Sequence, residues 1–128
     1  MGNGVREGDG AKVDGPALHV DQETLAGGVV AVRLAGDLDV ETAGRLHEAL
    51  QAATVGARAV VVDLAEVAHL GSAGVSALLG AHTRSGERIH LAGLESNRAV
   101  QRVVALLGLS RHFVVHDDVP AFLAAVRG

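Results

Sequence analysis

The sequence predicts a single α/β domain with a small mixed, mostly parallel sheet of about five strands. An N-terminal hairpin opens this sheet, and about four helices pack against it. Three observations support the prediction. The chain has 128 residues, which suits one domain. Its apolar segments alternate between the two-residue period of strands and the helical period of about 3.6 residues. Their order is β-β-α-β-α-β-α-β-α, and repeated βα units place strands parallel.

The composition excludes several classes of function. Hydrophobic residues make up 48% of the chain, yet there are only two Phe and no Trp, Tyr or Cys. The core is therefore expected to consist of Ala, Val and Leu, and disulfides, a zinc ribbon and cysteine catalysis are excluded. A net charge of −4 and the lack of aromatic residues argue against direct nucleic-acid binding. No apolar run suggests a membrane span or a signal peptide, so we expect a cytoplasmic protein.

Residues 1–15 differ from the rest of the chain. They contain five glycines, alternating charges and almost no apolar side chains. Such a segment buries too little surface to offset the entropy of ordering it. We therefore predict a flexible N-terminal tail over residues 1–15 and a single folded domain over residues 16–128.

The first half of the domain begins with the hairpin. A short strand starting at Leu18 and a denser strand over residues 29–35 flank a turn at Gly27-Gly28. A helix is predicted from about Val40 to Thr54, with Asp39 as its N-cap and Gly56 after its end. Residues 59–64 form a continuous apolar run of the kind found in buried parallel strands.

The second half repeats the βα pattern. After a short connection a helix is predicted from Ser72 to about Thr83, followed by a strand over residues 88–93. Ser96 is expected to cap a third helix that ends at Gly108. The last strand is predicted over residues 113–115, and Asp117 or Asp118 begins a closing helix with Pro120 in its first turn.

No catalytic constellation emerges from the sequence. It has no glycine-rich phosphate loop, and residues 71–74 lack the spacing of a nucleophile elbow. The seven histidines are scattered one per predicted element, which favours no metal site. We therefore expect no enzyme, no cofactor and no metal.

The start of the second helix allows two interpretations of Ser72. Its hydroxyl could accept a hydrogen bond from an N–H two or three residues later, as an N-cap does. Alternatively, the hydroxyl could carry a phosphate, which the positive end of the helix dipole would favour. Gly71 and Gly74 would let the backbone of another protein approach closely. The local sequence favours the cap.

Several segments, taken in order, carry a resemblance to a known family. They are Val32-Arg33-Leu34-Ala35-Gly36-Asp37-Leu38-Asp39, Thr42-Ala43-Gly44-Arg45-Leu46, Val60-Val61-Val62-Asp63-Leu64, His69-Leu70-Gly71-Ser72-Ala73-Gly74-Val75 and Val104-Ala105-Leu106-Leu107-Gly108-Leu109. At this spacing, the chain from about Leu18 to its C-terminus resembles the STAS domain of bacterial anti-sigma factor antagonists.

The resemblance implies a protein–protein switch. Such antagonists bind an anti-sigma factor that is also an ATP-using serine kinase, and so release a sigma factor. The kinase phosphorylates a hydroxyl in an Asp-Ser-Ser/Thr-Gly loop, and a serine phosphatase reverses the modification. Here Gly71 replaces the Asp and Ala73 replaces the second hydroxyl residue, so the resemblance makes Ser72 the candidate phosphorylation site. The implied partner-binding residues are Asp37, Asp39, Gly71, Ser72, Ala73 and Gly74.

Three alternatives remain open. The chain could be an antagonist that binds constitutively, without phosphorylation. It could be a STAS scaffold in a larger stress-signalling assembly. A third alternative, from another class, is a module that senses a small ligand or nucleotide near Asp37, Asp39 and Ser72.

Overall fold

A computed structural model describes residues 18–127, which form one five-stranded sheet with four α-helices. The strands are β1 (Leu18–Leu25), β2 (Val29–Leu38), β3 (Ala59–Leu70), β4 (Ile89–Ala92) and β5 (Val115–His116). The helices are α1 (Ala43–Thr54), α2 (Ser72–Arg84), α3 (Arg98–Leu106) and α4 (Val119–Val126), with a 3₁₀ turn at Leu109–Arg111. The predicted tail over residues 1–15 lies outside the described residues.

The sheet confirms the predicted fold class. The strands lie in chain order, β1-β2-β3-β4-β5. β1 and β2 form an antiparallel hairpin, whereas β2–β3, β3–β4 and β4–β5 are parallel pairs. Gly27 and Gly28 have φ of +83° and +78° in the hairpin turn, which glycine adopts without steric cost.

Helices cover both faces of the central strands. One core cluster joins Val60 and Val62 of β3 to apolar residues of α1, α2 and α3. The other places Val61 of β3 against Val119 and Phe122 of α4. Successive side chains of a strand point to opposite faces, so covering both faces requires a continuous apolar run. None of the helices within residues 18–127 is long and apolar enough to cross a membrane.

The central strand is longer than predicted. β3 continues to Leu70, so the expected connection after Leu64 is wrong, because residues 65–70 pair with the end of β2. Asp37 pairs with His69 and Leu38 with Leu70. Register shifts put extra residues of β3 opposite β2, as in β-bulges. The extension brings the end of β2 beside the segment that leads into α2.

Two predicted helix starts and the last strand are also corrected. α1 begins at Ala43 rather than about Val40, because residues 40–42 form a turn. The N-cap of α3 is Asn97 rather than Ser96, and its side chain accepts a hydrogen bond from the Val100 N–H. The last strand is Val115–His116 rather than residues 113–115, because Phe113 lies before the strand with its side chain buried in the core.

The closing helix confirms its prediction. Asp118 is the N-cap of α4, and its carboxylate accepts a hydrogen bond of 2.9 Å from the Ala121 N–H. Pro120 lies in the first turn, where a backbone N–H would have no helical partner.

Candidate partner-binding surface

The carboxyl ends of β2 and β3 bring together the two segments that the sequence singled out. We call residues 38–42 the Asp39 turn and residues 71–74 the Ser72 loop. The Gly71 N–H donates a 2.9 Å hydrogen bond to the Leu38 carbonyl. A Cβ on Gly74 would lie 2.7 Å from the Leu38 Cβ and 2.8 Å from its carbonyl oxygen. The two segments therefore form one continuous surface, and glycine at position 74 permits their close packing.

Reciprocal hydrogen bonds fix the Asp39 turn. The Asp39 carboxylate accepts from the backbone N–H groups of Glu41 and Thr42, at 3.0 and 3.1 Å. The Thr42 hydroxyl in turn accepts from the Asp39 N–H at 2.9 Å and donates to the Asp37 carbonyl at 2.8 Å. Thr42 is only 1% exposed. Asp39 was predicted to cap the helix directly, but it stabilises the turn that precedes α1, whose N-cap position is Thr42.

The Ser72 hydroxyl is exposed at the start of α2. Gly71, in extended conformation, is the N-cap of this helix, and Ser72 is its first helical residue. Gly71 occupies the N-cap position and no side chain caps the helix, so the cap interpretation of Ser72 is wrong. Within residues 18–127 the Ser72 side chain makes no hydrogen bond, which leaves its oxygen free to react or to contact a partner.

An exposed histidine lies beside Gly71, where the resembled family usually has Asp. His69 pairs with Asp37 across β2 and β3. A Cβ on Gly71 would lie 3.2 Å from the His69 Nε2 atom. An aspartate at position 71 would therefore require the imidazole to move. Glycine at position 71, in place of the family's usual Asp, leaves room for the His69 ring next to it.

Val40 is a residue of this surface that the sequence analysis did not identify. It was predicted to begin the first helix, yet it lies in the Asp39 turn with 80% of its surface exposed. The only sequence signal is its position between two acidic residues, Asp39 and Glu41. This position did not reveal that Val40 is exposed, because the residue also fits the start of the predicted helix.

Two histidines far apart in sequence meet in the structure. His90 Nδ1 lies 2.9 Å from His116 Nε2, so the N–H of one ring donates a hydrogen bond to the ring nitrogen of the other. The rings stack with centroids 5.1 Å apart, and both present an edge-to-face contact to Phe122. Burial and the neighbouring His116 lower the pKa of His90, and burial lowers the pKa of His116 despite the opposing effect of Asp117. The two histidines lie in different elements, β4 and β5, as the sequence indicated, and they meet because these strands are neighbours in the sheet.

Residues 18–127 contain no group of three or more His, Cys, Asp or Glu that could hold a metal ion. Two open cavities of about 260 and 280 Å³ lie elsewhere. The first is lined mainly by α1 and α2 near Arg84 and Arg88, and the second by Asp63, Gly93, Glu95, Asp117 and Asp118.

Comparison with known proteins identifies the family. A family model described as "Mlab, STAS domain" matches residues 22–117. The chain belongs to the STAS domain family. The anti-sigma-F factor antagonist RsfB of Mycobacterium tuberculosis is 28% identical over 102 residues, which cover 79% of this STAS chain and 84% of RsfB.

Solved structures share the fold. The crystal structure of an anti-sigma factor antagonist from Mycobacterium paratuberculosis is 28% identical with a TM-score of 0.78, and the match covers 88% of this chain and 96% of that one. The anti-sigma factor antagonist SpoIIAA in its unphosphorylated form is 19% identical with a TM-score of 0.67, over 85% and 97% of the chains. SpoIIAA of Bacillus in its phosphorylated form has a TM-score of 0.60 at 18% identity, over 83% and 98%.

Proposed function

We propose that this STAS domain is a cytoplasmic anti-sigma factor antagonist that acts by binding rather than by catalysis. Its partner is an anti-sigma factor of the ATP-using serine kinase type, and binding releases a sigma factor. The proposed contact surface contains Asp37, Asp39, Gly71, Ser72, Ala73 and Gly74. The observation that carries the proposal is the exposed, unbonded Ser72 hydroxyl beside a turn fixed by its own hydrogen bonds. Similarity to RsfB and to the M. paratuberculosis protein, both anti-sigma factor antagonists, supports the same assignment.

The shape of the surface suits protein binding. Gly71 and Ala73 are partly exposed and carry at most one methyl group, so the backbone of a partner can approach the start of α2. Gly74 is buried against Leu38 and contributes by letting the two segments pack closely. The Asp39 turn needs no ordering on binding, since its polar groups already satisfy each other. Interfaces that are already ordered lose less conformational entropy when the complex forms.

Phosphorylation of Ser72 is the proposed off-switch. A phosphate at this position adds nearly two negative charges at neutral pH. It would lie at the positive end of α2, which lowers the cost of the modified state in the free protein. In the complex the same dianion would have to be desolvated within a small contact, close to Asp37 and Asp39, which would weaken binding. A serine phosphatase would restore the binding form.

Incubation of the purified chain with a candidate anti-sigma kinase and ATP tests both parts of the proposal. We expect a stable complex without ATP and, with ATP, one phosphate that mass spectrometry places on Ser72. Ser72→Ala should abolish the modification. Ser76→Ala is the matched control, because Ser76 is exposed one turn later on the same helix.

The outcomes separate the alternatives. Binding without modification would refute the switch and leave a constitutive antagonist. Failure to bind any kinase-type anti-sigma factor would refute the function. Stable high-mass assemblies would instead indicate a scaffold, and stabilisation by nucleotide in a thermal-shift assay would indicate a ligand-sensing module.

A further inference from the structure

Val40 is the most exposed of the large hydrophobic side chains in residues 18–127, at 80%. A single exposed hydrophobic residue is common on protein surfaces and carries no function by itself. Val40 differs in its setting, because it lies within the Asp39 turn. It directly follows Asp39, whose carboxylate accepts hydrogen bonds from the N–H groups of Glu41 and Thr42 and so stabilises the turn.

The turn holds Val40 in a fixed position. The Asp39 carboxylate, just before the valine, accepts hydrogen bonds from the N–H groups of Glu41 and Thr42, just after it. On the other side, the Leu38 carbonyl is bound to the Gly71 N–H at 2.9 Å. Valine itself has one side-chain torsion with a strong preference. Inserting this side chain into a partner would therefore lose little conformational entropy.

Val40 also adjoins the candidate surface rather than standing apart from it. Leu38, two residues earlier, accepts a hydrogen bond from the Gly71 N–H and packs closely against Gly74. An exposed carboxylate, Glu41, follows the valine directly. The turn thus presents an apolar group with negative charge beside it, at the edge of the Ser72 loop.

We propose that Val40 is an anchor residue that inserts into an apolar socket on the anti-sigma factor, and that a basic side chain at the rim of the socket pairs with Glu41. The inference rests on the proposed function and adds to it the chemistry of the partner's surface. Residues buried near the centre of an interface contribute most of the binding energy. Charged pairs at the rim mainly accelerate association.

The test compares Val40→Ser with Val55→Ser in binding to the anti-sigma factor that the wild-type chain binds. Val55 is the matched control, because it is 79% exposed and follows the other end of α1. The 12 residues of α1 separate the two ends by about 18 Å. Because the valine side chain would be buried in the complex, Val40→Ser should raise the Kd by about 10-fold to 100-fold. Val55→Ser should leave it within about twofold, as expected for a side chain outside the interface.

A charge variant tests the rim. Glu41→Gln should lower the association rate and its dependence on salt, with little change in the dissociation rate. Equal Kd values for Val40→Ser and the wild type would refute the anchor while leaving the proposed function intact. A wild-type chain that binds no anti-sigma factor would refute both. An unchanged association rate for Glu41→Gln would refute the basic rim alone.

Discussion

Gly74→Ala is the substitution that most directly tests the packing between the Asp39 turn and the Ser72 loop. Its new methyl group would lie 2.7 Å from the Leu38 Cβ and 2.8 Å from the Leu38 carbonyl oxygen. Carbon atoms pack at about 3.5–4.0 Å, so the overlap is about 1 Å. Leu38 is 0% exposed and its carbonyl is backbone, so rotation of a flexible side chain cannot relieve the clash. The end of β2 and the start of α2 must separate.

The size of the effect follows from three terms. An added methyl group in a well-packed region costs about 1–3 kcal/mol. Separation also weakens the hydrogen bond between the Gly71 N–H and the Leu38 carbonyl, which is worth about 1 kcal/mol. The better helix propensity of alanine returns at most about 1 kcal/mol. The free energy of unfolding should therefore fall by about 1–3 kcal/mol.

Gly44→Ala is the matched control, and urea denaturation followed by circular dichroism is the assay. Gly44 lies in α1, is exposed, and has no heavy atom within 4 Å of the position of a new Cβ. Alanine should raise the stability there by up to about 1 kcal/mol. The two variants should thus differ by about 1–4 kcal/mol, at unchanged m-value. If Gly74→Ala unfolded at the same urea concentration as Gly44→Ala, the close packing of the two segments would be refuted.

Two further predictions concern groups away from this surface. The folded protein lowers the pKa of His90 and His116 below the ordinary 6.5, chiefly by burial, so the unfolded chain takes up protons first as the pH falls. The associated stability is present above about pH 6.5 and is lost as the pH falls through the folded-state pKa values. The urea midpoint should therefore decrease between about pH 7.5 and about pH 5. His90→Gln should make this decrease smaller. Asn97→Asp keeps an acceptor for the N-cap of α3 but loses the amide donor that binds the Leu64 and Val67 carbonyls at 2.8 and 2.7 Å. We expect a loss of more than about 2 kcal/mol, and an unchanged urea midpoint would show that these bonds contribute nothing.

The sequence predicted the fold because most elements follow from local periodicity. The exception is the second half of β3, and its burial pattern explains the failure. In this segment the buried residues are Leu64, Val67 and Leu70, three residues apart, whereas a regular strand buries every second one. The register shifts against β2 cause this spacing. A rule based on alternation therefore ended the strand where the bulges began.

Tertiary contacts decided the features that the sequence left ambiguous. Ser96 and Asn97 are both good N-cap residues, but in the fold it is the Asn97 amide that also donates to carbonyls of β3. The pairing of His90 with His116 depends on β4 and β5 being neighbours, which periodicity does not reveal. Ser72 fits the cap pattern in sequence, yet the extended backbone of Gly71 gives that glycine the N-cap position.

The same geometry determines how a modification of Ser72 could act. The Ser72 loop is held to β2 by the Gly71–Leu38 hydrogen bond and by the close approach of Gly74. Val75 and Leu78 anchor the following turn of α2 in the core. A phosphate on the exposed hydroxyl therefore has no internal hydrogen bond to break and no loosely packed segment to displace. Its effect would arise where it is added, through charge and desolvation at the contact with the partner. The proposed phosphorylation would therefore switch binding by the charge that it adds rather than by a change of conformation.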